Sequence, residues 1–304
     1  MKRFFPLVLA ALWSPAVLSA ASLNIKHDEA KGTLTVYREG SHDPLLIQNA
    51  RPDFRPFLHP IVAPDGKGIL TEYSPGHHKH QTGLYWGFTR VNGRDYFHHP
   101  EGDYWKRISA KVLKGSGDTV SWETVYHLLG KNGEAVLQET QHWTLQDSGH
   151  QYALDLVWRG KALKPVTIGK YDYGGLFLRM PWKKGLAGGV VNGRGQHGSK
   201  AEGQRANWID VGMEIEGRKD QGRISIFDHR ENEGFPQAWR VDGQLGVGPV
   251  RARTGDWQIA KGKEEVIKHR IIVSTGDLEA EALTKQWQEY SEQSRDHRLR
   301  GKAQ

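Results

Sequence analysis

Hydrophobic and polar residues alternate along most of the chain. The alternation is clearest in five segments bounded by turn-forming or polar residues: GTLTVYREG (32–40), TVSWETVYHLLG (119–130), HQYALDLVWRG (150–160), GRISIFDHR (222–230) and EVIKHRIIVSTG (265–276). Successive side chains of a strand point to opposite faces, so this period of two predicts antiparallel strands. The pattern therefore predicts an all-β fold, a large antiparallel β-sandwich.

A helical pattern occurs clearly only near the end of the chain, over residues 277–292. Leu283, Trp287 and Tyr290 recur there at i, i+4 and i+7, and Glu279 sits in the first turn, where the helix dipole favours an acid. We expect one C-terminal helix that packs against the outside of the sandwich.

The start of the chain predicts a signal peptide, residues 1–21. It has a basic beginning, an apolar stretch of about ten residues and small residues before the expected cleavage site. The mature protein is then a single sandwich domain, residues 22–292, followed by a basic, disordered tail, residues 293–304. This organisation predicts a periplasmic or secreted protein.

Composition excludes several classes of protein. The absence of cysteine excludes disulfides and thiolate metal sites. The formal charge of +7 includes Lys2 and Arg3 of the signal, and the remaining charges are interspersed, so nucleic acid is not an expected partner. No segment of the mature chain reaches the roughly 20 apolar residues of a spanning helix, so we expect no membrane contact after cleavage.

One segment, residues 183–206, breaks the alternation. It is rich in glycine, lysine and arginine and has little apolar pattern. Long irregular segments inside compact domains are often functional, so we expect a loop near the site.

Histidines cluster in one part of the sequence. Six of the fifteen fall between residues 59 and 99, and the densest stretch is HHKH at 77–80. If this stretch is extended, His78 and His80 share a face, about 6.5–7 Å apart, and His77 points the other way. That spacing suits proton transfer on a bound ring, with an apparent pKa near the ordinary value of about 6.5, or ligation of one metal ion. A solvated loop is the competing interpretation.

Other candidate residues lie near strand ends. We interpret Asp172, between two tyrosines, as a catalytic carboxylate beside His78 and His80. Trp86 follows the histidines and could form a flat platform for a sugar ring, with ordinary core packing as the alternative. The remaining substrate-binding candidates are His59, His77, Tyr171, Asp210, Asn232 and Trp239.

Six motifs resemble the PmoA-like family, often labelled "methane oxygenase". They are RPFLHPIVAPDGKGIL, PGHHKHQTGLYWGFTRVNGRDYF, YDYGGLFLRMP, NWIDVGMEIEG, FDHRENEGFPQAWRV and KHRIIVSTGDLE, in this order, and the resemblance extends over residues 34–290. A methane oxygenase subunit of the particulate type would span a membrane, which this mature chain does not. The resemblance implies a mutarotase-like β-supersandwich, an architecture associated with sugar epimerases, polysaccharide lyases and glycoside hydrolases.

The leading hypothesis is therefore an exported carbohydrate-active enzyme that uses histidine and carboxylate acid–base chemistry. Lyase, epimerase and hydrolase activities stay open. One alternative is a non-catalytic glycan-binding protein. Another is an enzyme with a divalent metal at the histidine cluster, although no cofactor and no metal ligand is assigned from the residues.

Overall fold

The structure is a computed structural model that describes residues 22–76 and 78–300, with side chains described to residue 292. The predicted signal peptide and His77 lie outside the described residues. Within them the chain forms nineteen strands and one α-helix. The predicted all-β antiparallel sandwich with a C-terminal helix is confirmed.

Nine strands form the first sheet. They are β1 (Leu23–Asp28), β2 (Thr33–Arg38), β3 (Pro44–Asn49), β4 (Phe57–Ile61), β5 (Leu84–Gly87), β7 (Ser116–Gly117), β12 (Gly175–Leu178), β16 (Ala238–Val241) and β17 (Val247–Val250). Their order across the sheet is β16-β17-β12-β5-β4-β3-β2-β1-β7, and the paired neighbours are antiparallel.

Eight longer strands form the second sheet. They are β6 (Trp105–Lys114), β8 (Thr119–Leu129), β9 (Ala135–Asp147), β10 (Tyr152–Ala162), β13 (Gly188–Asn192), β14 (Trp208–Glu214), β15 (Gln221–Asp228) and β19 (Glu264–Thr275). Their order is β13-β14-β15-β19-β10-β9-β8-β6. β11 (Val166–Ile168) and β18 (Trp257–Ile259) form a small separate ladder. The segment 183–206, expected to be a loop, contains β13, which pairs with β14.

The core lies between the two sheets. Each strand contributes alternate residues to it, so Trp86 of β5 stacks on Trp158 of β10, with ring centroids 4.8 Å apart and planes 14° apart. The next residue in each strand points away from the core. Side chains on the outer faces of the sheets are therefore available for other contacts.

The outer face of the second sheet is covered by the helix α1 (Ala280–Arg300). Leu283, Trp287 and Tyr290, the residues of the predicted apolar stripe, pack there against Trp208 and other sheet residues. The helix extends beyond its expected end at residue 292. Loops cover the outer face of the first sheet, and they carry His78, His80 and His98.

Among the described residues, no helix is long and apolar enough to span a membrane.

Candidate functional site

A cavity of about 250 Å³ opens on the outer face of the first sheet. Its lining combines imidazoles, aromatic rings and charged groups: His78, His80, Gln81, Phe97, His98, Tyr173, Phe177, Arg240, Asp242, Gly243 and Gln244. Two larger cavities, of about 730 and 500 Å³, share a wall around residues 183–187 and 214–216. Of the histidines described, these two contain only His59, so the smaller cavity holds the greater concentration of reactive groups.

An aromatic row runs across the outer face of the first sheet and reaches the cavity at Phe97 and Phe177. Phe57, Tyr85 and Phe177 lie opposite one another on β4, β5 and β12, because Tyr85 pairs in register with both of the others. Phe97, from a loop, packs on Tyr85 and Phe177 with ring centroids 5.4 Å from each. The row gives the polar side chains above it a rigid apolar base.

Arg55 joins the segment that carries His80 to the segment that carries His98. Its buried guanidinium donates hydrogen bonds to the carbonyl oxygens of Phe97, at 2.7 Å, and of His80, and to Thr82 Oγ1 at 3.1 Å. It also lies over the Tyr85 ring, 3.7 Å from the centroid. Burial lowers the pKa of Arg55 to about 10, so it stays charged at neutral pH. Arg55 thus positions His80 relative to the segment that carries His98.

Three imidazoles meet in the cavity. The His80 ring lies 4.5 Å from the His98 ring and 5.8 Å from the His78 ring, centroid to centroid. Burial lowers the pKa of His80 to about 3, and the charges of His98, Arg55 and His78 act in the same direction. His80 is therefore a neutral imidazole at physiological pH. The ordinary imidazole pKa expected from the sequence does not apply to this ring.

His98 is oriented by a carboxylate and contacts a phenol. Its Nδ1 lies 2.7 Å from Asp95 Oδ2, and its Nε2 lies 3.3 Å from Tyr173 Oη. Burial raises the pKa of Asp95, but hydrogen bonds from the side chain and backbone of His98 outweigh it and keep the pKa below its usual value. An ionised Asp95 favours the tautomer with a proton on Nδ1, which leaves Nε2 to accept the Tyr173 proton.

Asp242 and Gln244 line the cavity and are held by the buried Arg179. Arg179 Nη1 donates to the Gln244 carbonyl oxygen at 2.8 Å and lies 3.7 Å from Asp242 Oδ1, while Arg179 Nη2 lies 3.3 Å from His78 Nδ1. Asp242 Oδ1 also accepts the backbone N–H groups of Gln244 and Gly246, each at 2.8 Å. These contacts fix the turn that closes the cavity.

Two of the three predicted catalytic residues, His78 and His80, lie together in this cavity. The third, Asp172, does not: its side chain is 75% exposed and lies 3.6 Å from Arg253. Asp172 therefore does not lie beside His78 and His80 as expected. Its neighbour Tyr173 occupies the cavity in its place.

The predicted sugar platforms are corrected by the structure. Trp86 is 2% exposed and stacks between the sheets, and Trp239 is fully buried and donates its indole N–H to the Ala206 carbonyl oxygen. Neither ring can contact a ligand in the cavity. Tyr171 packs edge-on against Tyr173, 4.8 Å between centroids, but does not line the cavity.

The other predicted binding residues lie elsewhere. His59 bonds Thr71 Oγ1 at 3.0 Å in the 500 Å³ cavity. Asp210 is buried on the second sheet, where it accepts hydrogen bonds from Arg223 and Ser225, each at 2.7 Å. Asn232 is buried and ties its loop to the Lys268 carbonyl oxygen. His77 lies outside the described residues.

The sequence interpretation did not select the cavity residues His98, Tyr173, Arg240 and Asp242. His98 belongs to the recognised histidine cluster, so clustering was a usable signal for it. Tyr173 and Arg240 adjoin the selected residues Asp172 and Trp239. Strand alternation could have pointed to Arg240, which lies in β16, but not to Tyr173, which lies outside the strands. Among the described side chains, no group of three or more His, Asp or Glu residues is arranged to hold a metal ion.

The His80 ring is expected to stay neutral from pH 8 to pH 5. Its ring-proton NMR shifts should remain constant in the folded protein over this range and should titrate near pH 6.5 in denaturant. Because the pKa of His80 is lower in the folded than in the unfolded protein, its contribution to the free energy of unfolding is fully present above pH 6.5. That contribution is lost as the pH falls toward 3. A folded-state midpoint near 6.5 would contradict the neutral assignment.

The family described as "Family of unknown function (DUF6807)" matches residues 26–288 of the chain. No curated protein matches its sequence. Among solved structures, the GH36 alpha-galactosidase AgaB from Geobacillus stearothermophilus aligns with 83% of this chain at 8% identity and a TM-score of 0.44. The chain spans 41% of that enzyme's length. A galactose mutarotase related enzyme from Lactobacillus acidophilus aligns with 84% of this chain over 98% of its own, at 10% identity and a TM-score of 0.31.

Proposed function

The chain belongs to the DUF6807 family, and we propose that it is a carbohydrate-active enzyme whose cavity binds a sugar and transfers protons on it. The family match, residues 26–288, covers most of residues 34–290, the span on which the motifs resemble PmoA-like proteins. The description of the family names no activity. The proposal therefore rests on the chemistry of the cavity.

The lining supports a small ligand with apolar faces and polar edges. A volume of about 250 Å³ lies just below the roughly 300–1,000 Å³ of pockets for drug-sized molecules, which suits a single sugar ring. Phe97, Tyr173 and Phe177 offer apolar surface, and the imidazoles, Arg240 and Asp242 offer hydrogen-bonding groups. A pyranose ring has C–H faces and hydroxyl edges that match this division.

The observation that carries the proposal is the hydrogen-bonded series Asp95–His98–Tyr173. A hydroxyl next to an imidazole that is oriented by a carboxylate is a recurring arrangement for activating the hydroxyl. Burial, with the adjoining Tyr171 hydroxyl, raises the pKa of Tyr173, so the phenol is protonated at rest and needs a base before it can react. His98 Nε2 is that base, and Asp95 stabilises the imidazolium that forms.

In the proposed reaction, the Tyr173 proton moves to His98 Nε2 as the phenolic oxygen accepts a proton from the bound sugar. The neutral His80 can relay a second proton at the same sugar by accepting it at one ring nitrogen while releasing its own from the other, since its pKa of about 3 disfavours the imidazolium. Elimination, epimerisation and hydrolysis of a sugar all use such proton transfers. Tyr173 then gives its proton to the intermediate or to the leaving group and takes its own proton back from His98, which restores the starting state.

Replacing His80 with glutamine tests the proposal. Glutamine keeps a polar group of similar reach but cannot exchange a proton, so turnover of sugars and oligosaccharides in a panel should fall by about 10²-fold. The melting temperature should be nearly unchanged. His99→Gln is the matched control, because His99 adjoins the cavity residue His98 but stacks on Tyr104, 4.6 Å away, outside the cavity.

Two results would overturn the proposal. One is full activity in His80→Gln. The other is glycan binding by the wild-type protein with no turnover of any substrate in the panel, which would favour the non-catalytic alternative. Export to the periplasm is a further part of the proposal and rests on the sequence of residues 1–21.

A further inference from the structure

Arg240 is a cation with spare hydrogen-bond donors at the cavity wall. Its side chain is 30% exposed and lines the cavity. Among the described residues its one hydrogen bond runs from Nη1 to Glu202 Oε1, at 2.9 Å. A guanidinium carries five N–H donors, so most of those of Arg240 are open to a ligand.

Glu202 does not neutralise Arg240 by itself. The same carboxylate accepts Arg253 Nη2 at 2.5 Å and the backbone N–H of Val241 at 2.5 Å. Glu202 thus divides its hydrogen bonds between two arginines, of which Arg253 also lies 3.6 Å from the exposed Asp172. Arg240 retains part of its positive charge toward the cavity.

The one carboxylate in the described part of the cavity lining is already compensated. Asp242 faces Arg179 at 3.7 Å and accepts two backbone N–H groups. Asp95 lies behind His98, where its oxygens accept bonds from His98 and the backbone of Phe97. Among the described lining residues Arg240 is the one arginine or lysine, so it is the group best placed to bind an anion.

We propose that Arg240 binds the carboxylate of an acidic sugar, so that the substrate class is a uronic acid or a glycan that contains one. A guanidinium binds a planar carboxylate through two parallel N–H bonds, a geometry that lysine cannot offer. The guanidinium carbon lies 5.6 Å from the centre of the Tyr173 ring, so the bound carboxylate places the sugar next to the reacting phenol. This inference rests on the proposed function, whose substrate it specifies.

The test compares acidic sugars with their neutral parents. Binding of D-glucuronate, D-glucose, D-galacturonate and D-galactose to the full chain is measured by NMR titration at low salt. We expect at least one uronate to bind about tenfold or more tightly than its parent, since hydrogen bonds between two charged groups are stronger than those between neutral groups. Arg240→Gln should remove this difference.

Arg90→Gln is the matched control. Arg90 is exposed, lies over the Tyr171 ring at 4.6 Å as Arg240 lies over Tyr173, and is outside the cavity. The control should keep the preference for the uronate. Circular dichroism of both variants checks that the fold is intact.

Equal binding of uronate and parent overturns the inference, as does binding of none of the four sugars or an unchanged preference in Arg240→Gln. The outcome is separable from the proposed function. Uronate binding that depends on Arg240, without turnover of any uronide, would leave the inference standing and refute the enzyme. Turnover of neutral sugars without a preference for acidic ones would support the proposed enzyme and refute the inference about Arg240.

Discussion

Replacing Tyr173 with phenylalanine is expected to reduce turnover by about 10²–10⁴-fold, the usual contribution of a positioned acid or base. The change deletes one oxygen and keeps the ring that packs against Phe97, 5.0 Å between centroids. Stability should therefore change little. The measurement is kcat on the sugar that the wild-type protein converts, with the melting temperature alongside.

The loss should fall mainly on kcat, because the phenol acts in the transition state while the aromatic contact with the sugar remains. Tyr104→Phe is the control, since Tyr104 stacks on His99 and lies outside the cavity. Asp95→Asn should lower kcat in the same direction by removing the charge that supports the His98 imidazolium. A Tyr173→Phe protein with wild-type kcat would show that the phenol is structural.

Replacing Arg55 with methionine is expected to destabilise the fold by about 3 kcal/mol, which is a large loss for one residue. Methionine has a similar length but leaves the carbonyl oxygens of His80 and Phe97 buried without their donor. Part of that cost is offset because a buried charge is removed. Urea unfolding should show a lower midpoint with an unchanged slope.

The comparison variant is Arg51→Met. Arg51 is exposed and lies 3.8 Å over the Phe54 ring, and an exposed cation–π contact is worth only about 0.5–1 kcal/mol. Arg55→Met should also weaken sugar binding, because the segments that carry His80 and His98 lose their shared support. Equal stability of the two variants would show that other contacts hold these segments.

Much of the fold could be predicted because strand alternation is a strong local signal. The long strands of the second sheet, such as β10 (Tyr152–Ala162), show the period of two without interruption, and their apolar faces are buried as expected. The helix was recognisable from Leu283, Trp287 and Tyr290. The pairing order of the strands could not be predicted, because sequence separation says little about which distant strands meet.

The candidate site was predicted only in part, and two selected residues lie one position away from residues that line the cavity. Asp172 and Trp239 are neighbours of Tyr173 and Arg240. Trp86 is the neighbour of Tyr85, whose ring packs on the lining residues Phe97 and Phe177. A shift of one residue in a strand moves a side chain from one face to the other. The sequence does not show which face of the first sheet turns to the core, since both faces carry aromatic residues. Contacts such as His98 with Tyr173 depend on folding together segments about 75 residues apart.

The stacked pair Trp86 and Trp158 has an optical consequence. Two indoles 4.8 Å apart and nearly parallel couple their electronic transitions, and each belongs to a different sheet. The resulting circular dichroism signal reports how closely the two layers are pressed together, independently of how many strands remain formed. Because both rings lie outside the cavity, a bound ligand should leave this signal unchanged, so it separates a loosened interior from an altered binding surface in any variant.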